Sequence, residues 1–173
     1  MILFAGAYLV VLVTVVHFTR ATARRVMGAV AGGAAAGLWA LGVIALCGDL
    51  GWWRVPMAST PIALPMFYLC LSITLMPIYP VTWRVARRFG WRGLAVFIGV
   101  VTIIGPPRDY FIAGMFPGWM VFAPGVVPIL ANAAAYFGMV VIGHATMRLV
   151  AGPARDDRLA GRSREMLNTS NRL

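Results

Sequence analysis

The sequence predicts an all-α integral membrane protein, a bundle of five transmembrane helices with its N-terminus outside and its C-terminus in the cytoplasm. Three observations predict it. The 173 residues are 61% hydrophobic and only 12% charged, too little charge to cover a soluble domain of this size. The apolar residues fall into five runs, each close to the roughly 20 residues that cross a ~30 Å hydrocarbon core. The basic residues, all fifteen of them arginine, gather at the ends of these runs.

The bundle is expected over residues 1–149. The first span, about 2–19, carries no formal charge and stops at Arg20. Its N-terminus lacks the basic region of a signal peptide, so the run is expected to remain as a span. After a basic turn (Arg20, Arg24, Arg25) comes the second span, about 26–47, rich in Ala, Gly and Val. Gly28, Gly32, Gly33 and Gly37 give it small residues at helical spacing, a face on which a neighbouring helix can approach closely. The connection that follows holds Asp49, Trp52, Trp53, Arg54 and Pro56, and its paired tryptophans suit an interfacial aromatic belt.

The third span, about 61–83, contains Pro65, Pro77 and Pro80 and should bend. Arg84, Arg87, Arg88 and Arg92 form the densest basic loop. The fourth span, about 93–112, is purely apolar only to Ile104, so it is either short or kinked at Pro106–Pro107. Ile104–Gly125 reads as a proline-rich interruption between two apolar runs. The fifth span, about 125–147, ends at Arg148. Residues 150–173 form a polar, basic tail, expected to lie against anionic headgroups or to be flexible.

Five spans separate six polar segments. Thirteen of the fifteen arginines fall in alternate segments, and only Arg54 and Arg108 fall in the others. This bias fixes the expected orientation, because positively charged loops stay in the cytoplasm. The same distribution argues against nucleic acid as a partner despite the net charge of +10, since the arginines do not line one polar face. Cys47 and Cys70 have no metal-ligand spacing and lie at different expected depths, so neither a metal site nor a bridge is expected. No cofactor motif is present.

Two acids, Asp49 and Asp109, fall on the expected outer face, each with an arginine close in sequence (Arg54 and Arg108). An acid at a span end is a candidate functional group, and such a carboxyl can serve as general acid or base. The plainer alternative is that the two are helix-end ion pairs that orient loops. His17 and His144 sit at similar expected depth and could in principle hold a haem, but read better as interfacial, hydrogen-bonded side chains. Trp52, Trp53, Tyr110 and Trp119 could line a pocket or form an ordinary belt.

Pro117-Gly118-Trp119, Pro124-Gly125, Pro128, Tyr136 and Met147-Arg148 resemble the C-terminal half of the AveC-like spirocyclases, bacterial membrane proteins named for spiroketal formation. In that family an Asp–Pro and an Asn–Tyr pair precede the Pro-Gly-Trp. The corresponding stretch here, Gly105 to Tyr110, offers counterparts only for the acid and the tyrosine, and the resemblance covers about a third of the chain. Asp109 with the Pro128…Asn132 stretch is also similar to the membrane carotenoid hydratases and membrane terpene cyclases. Both resemblances imply an apolar, membrane-dissolved substrate and an acid-catalysed cyclisation or addition.

The expected function is therefore an enzyme of lipophilic secondary metabolism in a bacterial cytoplasmic membrane, which cyclises or hydrates a polyketide or isoprenoid. Asp109 is the candidate general acid or base and Asp49 its partner. Arg108, Tyr110, Trp52, Trp53, Arg54, Trp119 and Asn132 are the candidate substrate-binding residues. The expected partners are membrane lipids, a lipophilic substrate and a second membrane protein or another copy of the chain. The rival reading is a non-catalytic subunit that packs on a partner through its Gly-rich second helix. An enzyme should bring Asp49 and Asp109 together at a cavity, and a subunit should leave the Gly28–Gly37 face open.

Overall fold

The computed structural model describes residues 2–56, 63–116 and 118–153. Helices α1 (Ile2–Thr19) and α2 (Ala23–Asp49) are followed by strand β1 (Trp53–Arg54). Then come α3 (Ala63–Leu75), α4 (Ile78–Met115), strand β2 (Val121–Phe122) and α5 (Val126–Ala151). The expected tail lies outside the described residues from residue 154 onward.

Proline placement explains several boundaries. Pro65, Pro80 and Pro128 each occupy the first turn of their helix (α3, α4 and α5), where a missing N–H costs nothing because those amides have no carbonyl partner. Pro77 separates α3 from α4. The expected third span is thus two helical pieces joined at Met76–Pro77, where Met76 and Tyr79 still bond back to the Ser72 and Met76 carbonyls. Pro106 and Pro107, by contrast, lie inside α4 without interrupting it.

The real break in α4 is at Gly90, whose φ of 67° and ψ of −158° are not helical and favour a residue without Cβ. The chain changes direction there. Before Gly90 it runs parallel to α5: the Tyr79 hydroxyl donates to the Met139 carbonyl (3.1 Å) and Thr82 Oγ1 meets His144 Nδ1 (2.8 Å). Beyond Gly90 it runs antiparallel, since Gly105 packs under Tyr136 and Asp109 reaches back to Asn132. The densest arginine loop surrounds this reversal.

The core is built on α2 and α5, which lie antiparallel. Gly28 faces Met147 and Ala151, and Gly32 faces Gly143. Trp39 Nε1 donates to the Ala135 carbonyl (3.1 Å). The backbones come so close that a Cβ on Gly32 would lie 2.6 Å from the Gly143 carbonyl oxygen. On its other side α2 meets α3, with Gly33 and Gly37 against Ser72. Gly28, Gly32, Gly33 and Gly37 are all buried, so the small-residue face of the second helix is filled by this chain's own α3 and α5. These four glycines are therefore covered within the chain itself.

Three helical segments, Ala23–Asp49, Leu64–Met115 and Val126–Ala151, are long and apolar enough to cross a membrane, and the described apolar part of α1 is shorter. Large apolar side chains such as Val13, Ile103, Phe111 and Leu149 are exposed, a surface compatible with lipid contact. Cys47 and Cys70 are free and buried.

Candidate functional site

Asp109 is not in a loop. Helix α4 continues to Met115, which places the acid six residues inside the helix, ~9 Å from its end at 1.5 Å per residue. The expected interruption at Ile104–Gly125 shrinks to a connection after Met115, because the tandem prolines are accommodated within the helix. The neighbouring α5 then supplies partners that the sequence did not place beside the acid.

The arginine next to it makes the first contact. Successive residues on a helix diverge and do not normally meet, but Arg108 is long enough to fold back. Its Nη2 and Nε reach Asp109 Oδ1 at 2.9 and 3.3 Å. Tyr136 of α5 bridges the pair. Its hydroxyl accepts from Arg108 Nη2 at 2.6 Å and lies 2.9 Å from both carboxylate oxygens, so its one proton is shared between them. Asn132, one helical turn from Tyr136, donates from Nδ2 to Asp109 Oδ2 at 3.3 Å. The Arg108 guanidinium also lies 5.5 Å from the centre of the Tyr136 ring. Gly105 makes this arrangement possible: a Cβ there would clash with the Tyr136 ring. Tyr8 of α1 is close enough to interact electrostatically with both Arg108 and Tyr136.

The four groups form a closed network of opposite charges and shared protons. Arg108 keeps 53% of its side chain accessible, whereas Asp109 keeps 18%. The carboxylate is thus sheltered while its counter-charge stays available to a second group. Because the Tyr136 hydroxyl donates to Asp109 and accepts from Arg108, it fixes the carboxylate and the guanidinium in one arrangement.

The other candidate residues divide. Tyr110 points away from Asp109 and stacks on Phe122, with ring centres 4.1 Å apart and planes 13° apart. Phe122 in turn meets the buried Trp53 edge-on at 5.7 Å. Strands β1 and β2 pair antiparallel, Trp53 with Phe122 and Arg54 with Val121, and Ala123 N–H donates to the Trp52 carbonyl (2.8 Å). The two connections are therefore joined at one end of the bundle. Beside them, Tyr110, Ala113, Gly114, Met120 and Phe122 help line an open cleft of about 360 Å³. Trp119 is partly buried in the second connection, and the Arg54 side chain is exposed.

Asp49 does not join this group. It ends α2, exposed, and makes no ion pair among the described residues, where Arg108–Asp109 is the only one. The expected Asp49–Arg54 pair is not formed. His144 is buried between helices. The Thr82 hydroxyl gives its proton to the Tyr79 carbonyl (2.9 Å), so His144 donates to it from Nδ1. His17, on α1, is exposed. Among the described residues no three His, Cys, Asp or Glu side chains gather as a metal site would require.

Tyr136 is the partner that the residue-by-residue reading missed. A signal for it existed: Asn132 and Tyr136 are spaced i, i+4 on an otherwise apolar helix, which puts two polar groups on one face. The chain matches no family model, no curated protein and no solved structure.

Proposed function

We propose that this chain is an integral membrane enzyme that uses acid–base chemistry on an apolar substrate dissolved in the bilayer. The observation that carries the reading is the Arg108–Asp109–Tyr136–Asn132 network, inside two helices whose surroundings are almost uncharged. Ionisable side chains within a span are costly and mark sites of function. In this reading Asp109 takes and returns the proton, and Tyr136 and Asn132 orient the carboxylate. Arg108, with its accessible face, binds the oxygen that gains negative charge. The reaction class is cyclisation or hydration of a polyketide or isoprenoid, in line with the spirocyclase and carotenoid hydratase resemblances. Asp49 has no part in it.

The proposal includes five spans. The direction reversal at Gly90 supports counting α3 with the first part of α4 as one crossing and the rest of α4 as the next. The arginine bias then supports N-terminus outside, C-terminus inside, and a bacterial cytoplasmic membrane.

The test compares lipid extracts of cells carrying the wild-type chain with extracts of cells carrying Asp109→Asn. The wild type should yield a product that differs from its precursor by one water or has the same mass and a new ring. Asp109→Asn should accumulate the precursor while reaching the membrane in the same amount. A variant that makes product at the wild-type rate would sink the catalytic reading.

A further inference from the structure

The opposite end of the bundle holds a second polar assembly, built on arginines. Trp83 is 1% exposed, and two guanidinium groups lie against its ring, Arg25 at 5.4 Å and Arg87 at 5.8 Å from the ring centre. Arg25 is engaged: Nη1 and Nη2 donate to the carbonyls of Gly152 and Pro153 at 2.8 and 2.6 Å. Arg87 is not satisfied in this way. Its Nη1 and the Trp83 Nε1 are both buried without an acceptor among the described residues. Arg24 joins them beside Gly152, and Arg148 stands in the last turn of α5.

Both groups left without acceptors can only donate, and the arginines around them repel one another. What is missing is an anion rich in acceptor oxygens. The two acids among the described residues, Asp49 and Asp109, do not supply it: Asp109 is held by Arg108, Tyr136 and Asn132, and Asp49 ends α2. Residues 154–173 contain five arginines against three acids, so they bring no net negative charge.

We infer that this end binds the phosphate of an anionic membrane lipid. Arg87 is its main ligand, the Trp83 N–H a second donor, and Arg24 and Arg148 supply further positive charge. A guanidinium matches phosphate oxygens in pairs, and basic pockets between helices at the cytoplasmic side hold such headgroups. The inference rests on the membrane reading but not on catalysis.

The test uses the full chain purified in a neutral detergent, with its melting temperature followed as lipid is added. Phosphatidylglycerol should raise Tm by about 5 °C at a hundredfold excess over its Kd, and phosphatidylcholine should not. Arg87→Gln should weaken phosphatidylglycerol binding more than tenfold. Arg88→Gln is the control for diffuse attraction, since Arg88 is exposed against Phe89, and it should cost only about fivefold, as any surface arginine would. If Arg87→Gln does not fold, Arg24→Gln serves instead and should also exceed the Arg88→Gln loss. Equal losses in the Arg87 and Arg88 variants, or equal protection by phosphatidylcholine, would overturn the site. Equal protection by inorganic phosphate would overturn the assignment to a lipid.

Discussion

Replacing Gly143 by alanine tests the central packing of the bundle. A Cβ at this position would clash with the Tyr79 ring edge and hydroxyl, and that ring is fully buried. Tyr79 cannot simply swing aside, because its hydroxyl donates to the Met139 carbonyl one turn away (3.1 Å). Overpacking of this kind costs about 1–3 kcal/mol, and losing the hydrogen bond adds about 0.5–1.5 kcal/mol. Against this, alanine is favoured over glycine in a helix by about 0.5–1 kcal/mol. The net expectation is a destabilisation of about 0.5–4 kcal/mol, so the steric effect wins. Gly42→Ala provides the matched control, since nothing lies within 4 Å of a Cβ there, and it should be neutral or slightly stabilising. Unfolding of both variants in mixed micelles, by titration with a denaturing detergent, measures the difference. Combining Gly143→Ala with Tyr79→Leu should recover part of the loss, a coupling of about 1 kcal/mol or more. If Gly143→Ala proves as stable as Gly42→Ala, the α2–α5–Tyr79 packing described above is wrong.

Tyr136→Phe removes the hydroxyl that joins Arg108 to Asp109. Because polar contacts between membrane helices are worth only about 0.6–1.7 kcal/mol, unfolding should show a loss in that range, while product formation should fall far more steeply. Arg25→Gln should free the end of α5, seen as faster amide exchange and proteolysis around Gly152, at a cost of about 2–4 kcal/mol for two charge-assisted bonds. Topology can be read with single cysteines. Arg54→Cys should react with a membrane-impermeant maleimide added outside intact cells, and Arg88→Cys only after the membrane is opened. Reaction of both from outside would refute the five-span orientation.

Helix formation and the apolar surface were legible in the sequence because they depend on composition and run length. The small residues of α2 were legible as a contact face, but not which helices would cover it. The positions of the breaks were read less well. Pro106–Pro107 looked like an interruption, yet a helix packed against α5 tolerates the missing donors; the turn at Gly90, by contrast, falls within the basic loop expected between the third and fourth spans. At the site, Arg108, Asp109 and Asn132 were all singled out and do come together. Asp49 was placed with them because both acids were expected on the same face. That argument concerns depth and says nothing of lateral position around the bundle. Tyr136 was seen only through a family resemblance, since a tyrosine in an apolar run carries no charge to draw notice.

The α2–α5 pair is fastened at both ends. At one, Arg25 ties α2 to the carbonyls that follow α5. At the other, Trp53 and Phe122 pair in the short ladder between the end of α2 and the start of α5. Two helices clamped in this way act as a fixed spine, against which Tyr110, stacked on Phe122, holds the second half of α4. That half carries Arg108 and Asp109, while Tyr136 and Asn132 stay on the spine. Parting the two surfaces therefore strips the carboxylate of two of its three partners, so the environment of Asp109 is set by how closely α4 and α5 pack.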